Sequence, residues 1–158
     1  MRRLIALLIG TVCASGAPAQ QPKDTKPDKR YGIEADLLTY PQAEPKETLA
    51  SVIKAIDGGR INYLLAQLAD PDWVDQRVKQ IHGGKFDAMV DETTTKLSSD
   101  RTTIKELRRF LNEGNWETTG DTASAQVKDI KNRRVYLRKI GRHWFFETQQ
   151  EPRAAKEK

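Results

Sequence analysis

The stretch GNWETTGDTASAQVKDIKNRRVYLRKIGRHWFF, residues 114–146, decides the fold, because within it the apolar residues fall on alternate positions. Trp116 and Thr118 alternate with polar neighbours, and Ala123, Ala125 and Val127 do the same after a Gly120-Asp121 turn. Val135 and Leu137 alternate with Arg134, Tyr136 and Arg138. Ile140, Gly141 and Arg142 then turn the chain into a last, aromatic strand, His143 to Phe146. Connections this short join antiparallel neighbours, so the stretch predicts a four-stranded meander.

Upstream of residue 114 the period is helical. Leu49, Val52, Ile53 and Ile56 follow the i, i+3, i+4, i+7 template, with Pro45 in a first turn and Gly58-Gly59 as the stop. Ile61, Leu64, Leu65 and Leu68 repeat it and predict a second helix ending near Asp70, which can cap a third with Pro71 at its first position. Trp73, Val74, Val78 and Ile81 continue to Gly83-Gly84, and Phe86, Met89, Val90 and Leu97 follow more loosely across the β-branched run Thr93 to Thr95. Thr103 and Glu106 form a capping-box pattern ahead of Leu107, Phe110 and Leu111, closed by Gly114. Helices first and a meander after predict an α+β domain, with N-terminal helices packed on one face of a four-stranded antiparallel sheet.

The N-terminus reads as an export signal. Arg2 and Arg3 precede an apolar run from Leu4 to Ala14, and Ala17, Pro18 and Ala19 form a small-x-small cleavage pattern. A membrane span needs about 20 apolar residues, and this run falls well short. The expected organisation is a signal at 1–19, a proline-bearing charged leader at 20–30, one domain at 31–148 and a polar tail at 149–158. Tyr31, Ile33, Leu37, Leu38 and Tyr40 make an apolar arm expected to pack on that domain. The mature product is expected in the periplasm or outside the cell. Cys13 is the only cysteine and lies within the signal; Gly10, Thr11 and Val12 before it depart from a lipoprotein pattern. The remaining chain has neither disulfides nor thiolate metal ligands to draw on. Cleavage would lower the formal charge from +5 to +3, since the signal carries Arg2 and Arg3 and no acid. So mild an excess disfavours nucleic acid as a partner.

The turn at Ile56, Asp57, Gly58, Gly59 and Arg60, the meander, and the ending Leu137-Arg138-Lys139, Gly141, Trp144 together resemble the NTF2-like superfamily, which includes SnoaL and ketosteroid-isomerase relatives. The resemblance spans Leu49 to Glu147. The segment from Tyr40, Pro41 and Gln42 through Tyr63 to Pro71 is also similar to exported proteins of planctomycete type. Membership would imply a strongly curved sheet wrapped into a cone, a pocket at its wide end, and in many members a homodimer built through the sheet. Some members place a loop and strand between the helices, which this sequence does not display.

An isomerase or dehydratase working in such a cone needs a carboxylate or histidine beside a tyrosine. Tyr63, Asp70, Tyr136 and His143 are the recruits, and each has a structural assignment. Tyr63 is off the apolar stripe, Asp70 caps a helix, Tyr136 faces away from the core, and His143 alternates with the better core residue Trp144. No Ser elbow or His-Glu-x-x-His motif is present, and Asp70, Asp72 and Asp75 lack the glycine of a calcium loop. A binding domain without metal or cofactor is the expectation. Its pocket candidates are Tyr63, Trp73, Trp116, Trp144 and Phe146, suited to a small apolar ligand. A basic hairpin surface of Lys128, Arg134, Tyr136, Arg138 and Arg142 offers a second mode, as an envelope protein gripping an acidic partner. Phe145, on the same sheet face as Tyr136, would add an aromatic patch.

Overall fold

The computed structural model describes residues 29–130 and 133–147; the expected signal, most of the leader and the C-terminal tail lie outside them. The element order is helical up to Glu113 and strand-forming after it, an α+β arrangement. No helix among the described residues is long and apolar enough to cross a membrane.

Helix α1 (Pro45–Asp57) begins with proline in its first turn, where the missing N–H would have no helical partner, and stops at Gly58. It is buried on two sides. Leu49 and Ile53 join the core facing the sheet, whereas Val52 and Ala55 join the core among the other helices. Each fully buried side chain of this kind stabilises the fold by about 1.5–3 kcal/mol. Ile56 and Phe146 touch both cores and tie them together.

The second helical stretch departs from the expected regular α-helix. Helix α2 (Ile61–Tyr63) widens into a π-helical turn over Leu64–Leu68, where the Ala69 N–H donates to the Leu64 carbonyl five residues back at 2.8 Å. Every residue from Tyr63 to Asp70 is buried. A helix with no solvent face must distribute apolar groups around its whole circumference, and the wider turn does so. It ends as the Asp70 N–H donates to the Phe146 carbonyl at 2.9 Å, within an isolated parallel bridge between Ala69 and Phe146. That bridge stands where the sequence displays no strand.

Helix α3 (Pro71–Gln80) is capped as expected: the Asp70 carboxylate accepts from the N–H groups of Asp72 at 2.9 Å and Trp73 at 3.3 Å. Helix α4 (Phe86–Ser99) runs through its β-branched stretch, where Thr94 and Thr95 donate their hydroxyls to the carbonyls of Val90 and Asp91. Helix α5 (Arg101–Glu113) starts earlier than its capping-box pattern indicates. Asp100 is the cap, accepting the Thr103 N–H at 3.0 Å and its hydroxyl at 2.6 Å, so Thr103 donates to a cap instead of being one. A carboxylate at the helix N-terminus is favoured by the dipole, and it displaces the weaker threonine.

Strands β1 (Asn115–Thr119), β2 (Thr122–Gln126), β3 (Val135–Ile140) and β4 (His143–Glu147) form an open antiparallel sheet in sequence order. The register pairs Ala123 with Leu137 and Leu137 with Phe146 on the helix-facing side, and Ser124 with Tyr136 and Arg138 with Phe145 on the outer side. Gly114, between α5 and β1, has ordinary dihedrals but no room: a Cβ there would lie 2.2 Å from the Phe110 carbonyl oxygen.

The N-terminal arm packs by selected residues only. Tyr31 stacks on Phe86 at 4.0 Å, and Tyr40 is buried against Tyr63, ring centroids 4.3 Å apart. Leu38, expected to pack with them, is 99% exposed. Arg30, assigned by its charge to the leader, is fixed: it donates to the Pro71 carbonyl and pairs with Asp75. Gln42 closes the arm. Its side-chain amide donates to the carbonyls of Gln67 at 3.0 Å and Trp144 at 2.9 Å, and its own carbonyl accepts the Trp144 N–H at 3.0 Å.

Candidate functional site

Where the two cores meet, the helices and the sheet leave a cavity of about 240 Å³. Its walls come from α1 (Val52, Ile56), the π turn (Leu64, Leu65), α3 (Trp73) and β4 (Phe146), with Leu97 of α4 and Phe110 of α5 completing them. Side chains from elements this far apart in sequence converge because α1 and the π turn are buried on more than one side. Liquid water takes about 30 Å³ per molecule, so the space equals about eight waters.

Polar groups also line it: Thr93, Thr103, Glu106, Arg133, Arg134 and Glu147. Most are committed elsewhere. Arg133 forms an ion pair with Glu106 at 2.5 Å, and Arg134 donates to the side-chain oxygen of Gln126 at 2.6 Å. The Thr103 hydroxyl donates to Asp100.

Two of the five expected pocket residues, Trp73 and Phe146, line this cavity. The other three lie elsewhere. Tyr63 is a core residue, 2% exposed, whose phenol oxygen accepts the Asp36 N–H at 2.9 Å; burial pushes its pKa up. It sits off an α-helical stripe, but the Tyr40 ring stacks on it 4.3 Å away. Trp144 is packed in the sheet-side core at 5% exposure, and Trp116 is half-buried at the margin of that core. Trp73 carries the Arg77 guanidinium 5.6 Å from its ring centroid, a cation–π contact.

Of the expected basic surface, Lys128 lies in the β2–β3 loop and Arg142 in the β3–β4 turn, both exposed, and only Tyr136 and Arg138 stand on the outer sheet face, Tyr136 half-buried. Arg138 is not free for a partner. It pairs with Asp70 at 2.9 Å and Asp72 at 2.7 Å, and these carboxylates, Asp72 first, raise its pKa. The aspartates that suggested calcium are thereby divided: Asp70 and Asp72 hold Arg138, and Asp75 holds Arg30 and the Tyr31 hydroxyl. Burial and the Asp75 carboxylate push the Tyr31 phenol up to about 12. Among the described residues no group of three or more His, Cys, Asp or Glu side chains is placed to hold a metal ion.

One polar cluster gave no signal in the sequence. His82 Nε2 lies 3.2 Å from Glu92, out of line for a hydrogen bond, and Glu92 also pairs with Arg77 and Lys96. Those cations, Lys96 first, hold the Glu92 carboxyl below its ordinary range. The cluster joins α3 to α4 near the surface, and none of its members lines the cavity.

No family model matches this chain, and neither a curated protein nor a solved structure matches it.

Proposed function

We propose that the protein is an exported, NTF2-like binding domain that holds a small, predominantly apolar molecule non-covalently between its helices and its sheet. The observation that carries this reading is the 240 Å³ cavity with apolar walls from α1, the π turn, α3 and β4. Engineered apolar cavities of about 150 Å³ accept benzene, so this one has room for a somewhat larger guest. The helices-then-meander order supports the NTF2-like assignment, and so does the Ala69–Phe146 bridge at the position of the strand found in some members. Binding is favoured over isomerase chemistry because Glu106, a carboxylate at the lining, is held by Arg133 and so is not poised as a base.

Native mass spectrometry of the protein purified gently from its own cell envelope tests this. A retained small molecule released on unfolding is expected, and N-terminal sequencing should find the chain starting at Gln20. A protein that carries no ligand and takes up none from an apolar library would overturn the binding reading. A chain retaining Met1 and staying in the cytoplasm would overturn export.

A further inference from the structure

Resting on the cavity as a binding site, we infer that its ligand is electrically neutral: a hydrocarbon-rich molecule carrying one hydroxyl or carbonyl oxygen, which is met by Thr93. The polar part of the lining decides this. The charged lining residues balance, Arg133 and Arg134 against Glu106 and Glu147; Arg133 pairs with Glu106, Arg134 donates to the neutral side-chain oxygen of Gln126, and the Thr103 hydroxyl donates to the α5 cap Asp100. Glu147 also has a partner. An ionised ligand would upset this balance and leave one charge in the lining or on the ligand without a counter-charge, which is unfavourable between apolar walls.

Thr93 is different. Of the five hydroxyl residues in α4, Thr94, Thr95, Ser98 and Ser99 all donate back to carbonyls of their own helix. Thr93 makes no such bond and lines the cavity. Its hydroxyl can donate or accept, so it matches an alcohol or a carbonyl equally, while supplying no charge. At about 30 Å³ per water-sized unit, the volume suits a ring or chain of about six to eight carbons.

The test uses one skeleton with four ends: methylcyclohexane, cyclohexylmethanol, cyclohexanecarboxylate and cyclohexylmethylammonium, titrated against the full chain by ligand-observed NMR. The alcohol should bind tightest, about fivefold above the hydrocarbon, which is the worth of one net hydrogen bond. Both ions should bind more weakly than the hydrocarbon. Thr93→Val, nearly isosteric, should bring the alcohol down to the hydrocarbon's affinity and leave the hydrocarbon unchanged, which also reports that the variant is folded. If either ion binds as well as the alcohol, or if Thr93→Val leaves the alcohol unaffected, the inference is wrong while the cavity reading stands. Binding by none of the four removes the cavity reading itself.

Discussion

Arg138 of β3 reaches 68 residues back along the sequence to Asp70, the residue that caps α3. Asp70 thus closes the π turn with its backbone N–H, and with its carboxylate starts the next helix and anchors a guanidinium from the outer face of the sheet. A cation of the expected basic surface is therefore an internal fastening between the helical half and the meander.

Asp70 and Asp72 both contact Arg138, but their exposures differ, with side chains 10% and 82% exposed. Asp70→Ala removes the cap and leaves Arg138 with a single solvated partner; it should cost about 1–2 kcal/mol. Asp72→Ala should cost about 0–1 kcal/mol, as an exposed pair does. Urea denaturation of the two variants checks the ranking, and equal losses would contradict it.

Gly114→Ala should destabilise although its backbone conformation suits alanine. The added methyl meets the Phe110 carbonyl oxygen and then Ala125, so α5 must shift away from β2. Overpacking of this kind costs about 1–3 kcal/mol. A thermal melt within a degree of the parent would show that the helix end relaxes freely.

Val52 lines the cavity and is 1% exposed, so Val52→Leu directs a methylene into space that is already there. The melting temperature should hold or rise, by the equivalent of about 0.5–1 kcal/mol, as cavity filling does. Ligand affinity should fall. A drop in stability with unchanged affinity would mean that the cavity lies away from this side chain.

Arg109 grips Asp129 with two hydrogen bonds, at 2.8 and 2.9 Å, and holds its carboxyl below the ordinary range. A depressed folded pKa stabilises above the unfolded pKa, and that contribution is lost as pH falls through the folded value. Asp129→Asn should therefore melt slightly lower than the parent at pH 7. The gap should close on acidification toward about pH 2, below the usual carboxylate range. A gap that is constant with pH would point to lost packing instead of lost charge.

What the sequence made legible was whatever depends on near neighbours. The stripe from Leu49 to Ile56, the Asp70 cap, and the alternation of Val135, Leu137 and Tyr136 are each contained within one turn or one strand. The π turn was not legible, because an α-helical template fits Leu64, Leu65 and Leu68 as well. Asp100 is hidden as a cap in the sequence, because Thr103 and Glu106 form a capping-box pattern three residues on. Trp73 and Phe146 could be chosen for the cavity as large apolar residues, but Trp144 meets the same criterion and is core. Thr93 carried no signal, since its distinction is the one bond it does not make.

The bonds of Gln42 and Asp70 have a consequence for self-association. A sheet can be extended by another strand only along a margin whose N–H and C=O groups are unspent. On β4 the Trp144 groups are taken by Gln42 and the Phe146 carbonyl by Asp70. That margin is closed by the chain itself. Among the described residues β1 pairs only with β2, so its far side is the one margin able to template a foreign strand. It is short and polar, with Glu117, Thr118 and Thr119 exposed. The arm is thus an edge guard as well as a packing element: loss of Gln42 would bare the Trp144 groups of β4, while Asp70 would still hold the Phe146 carbonyl.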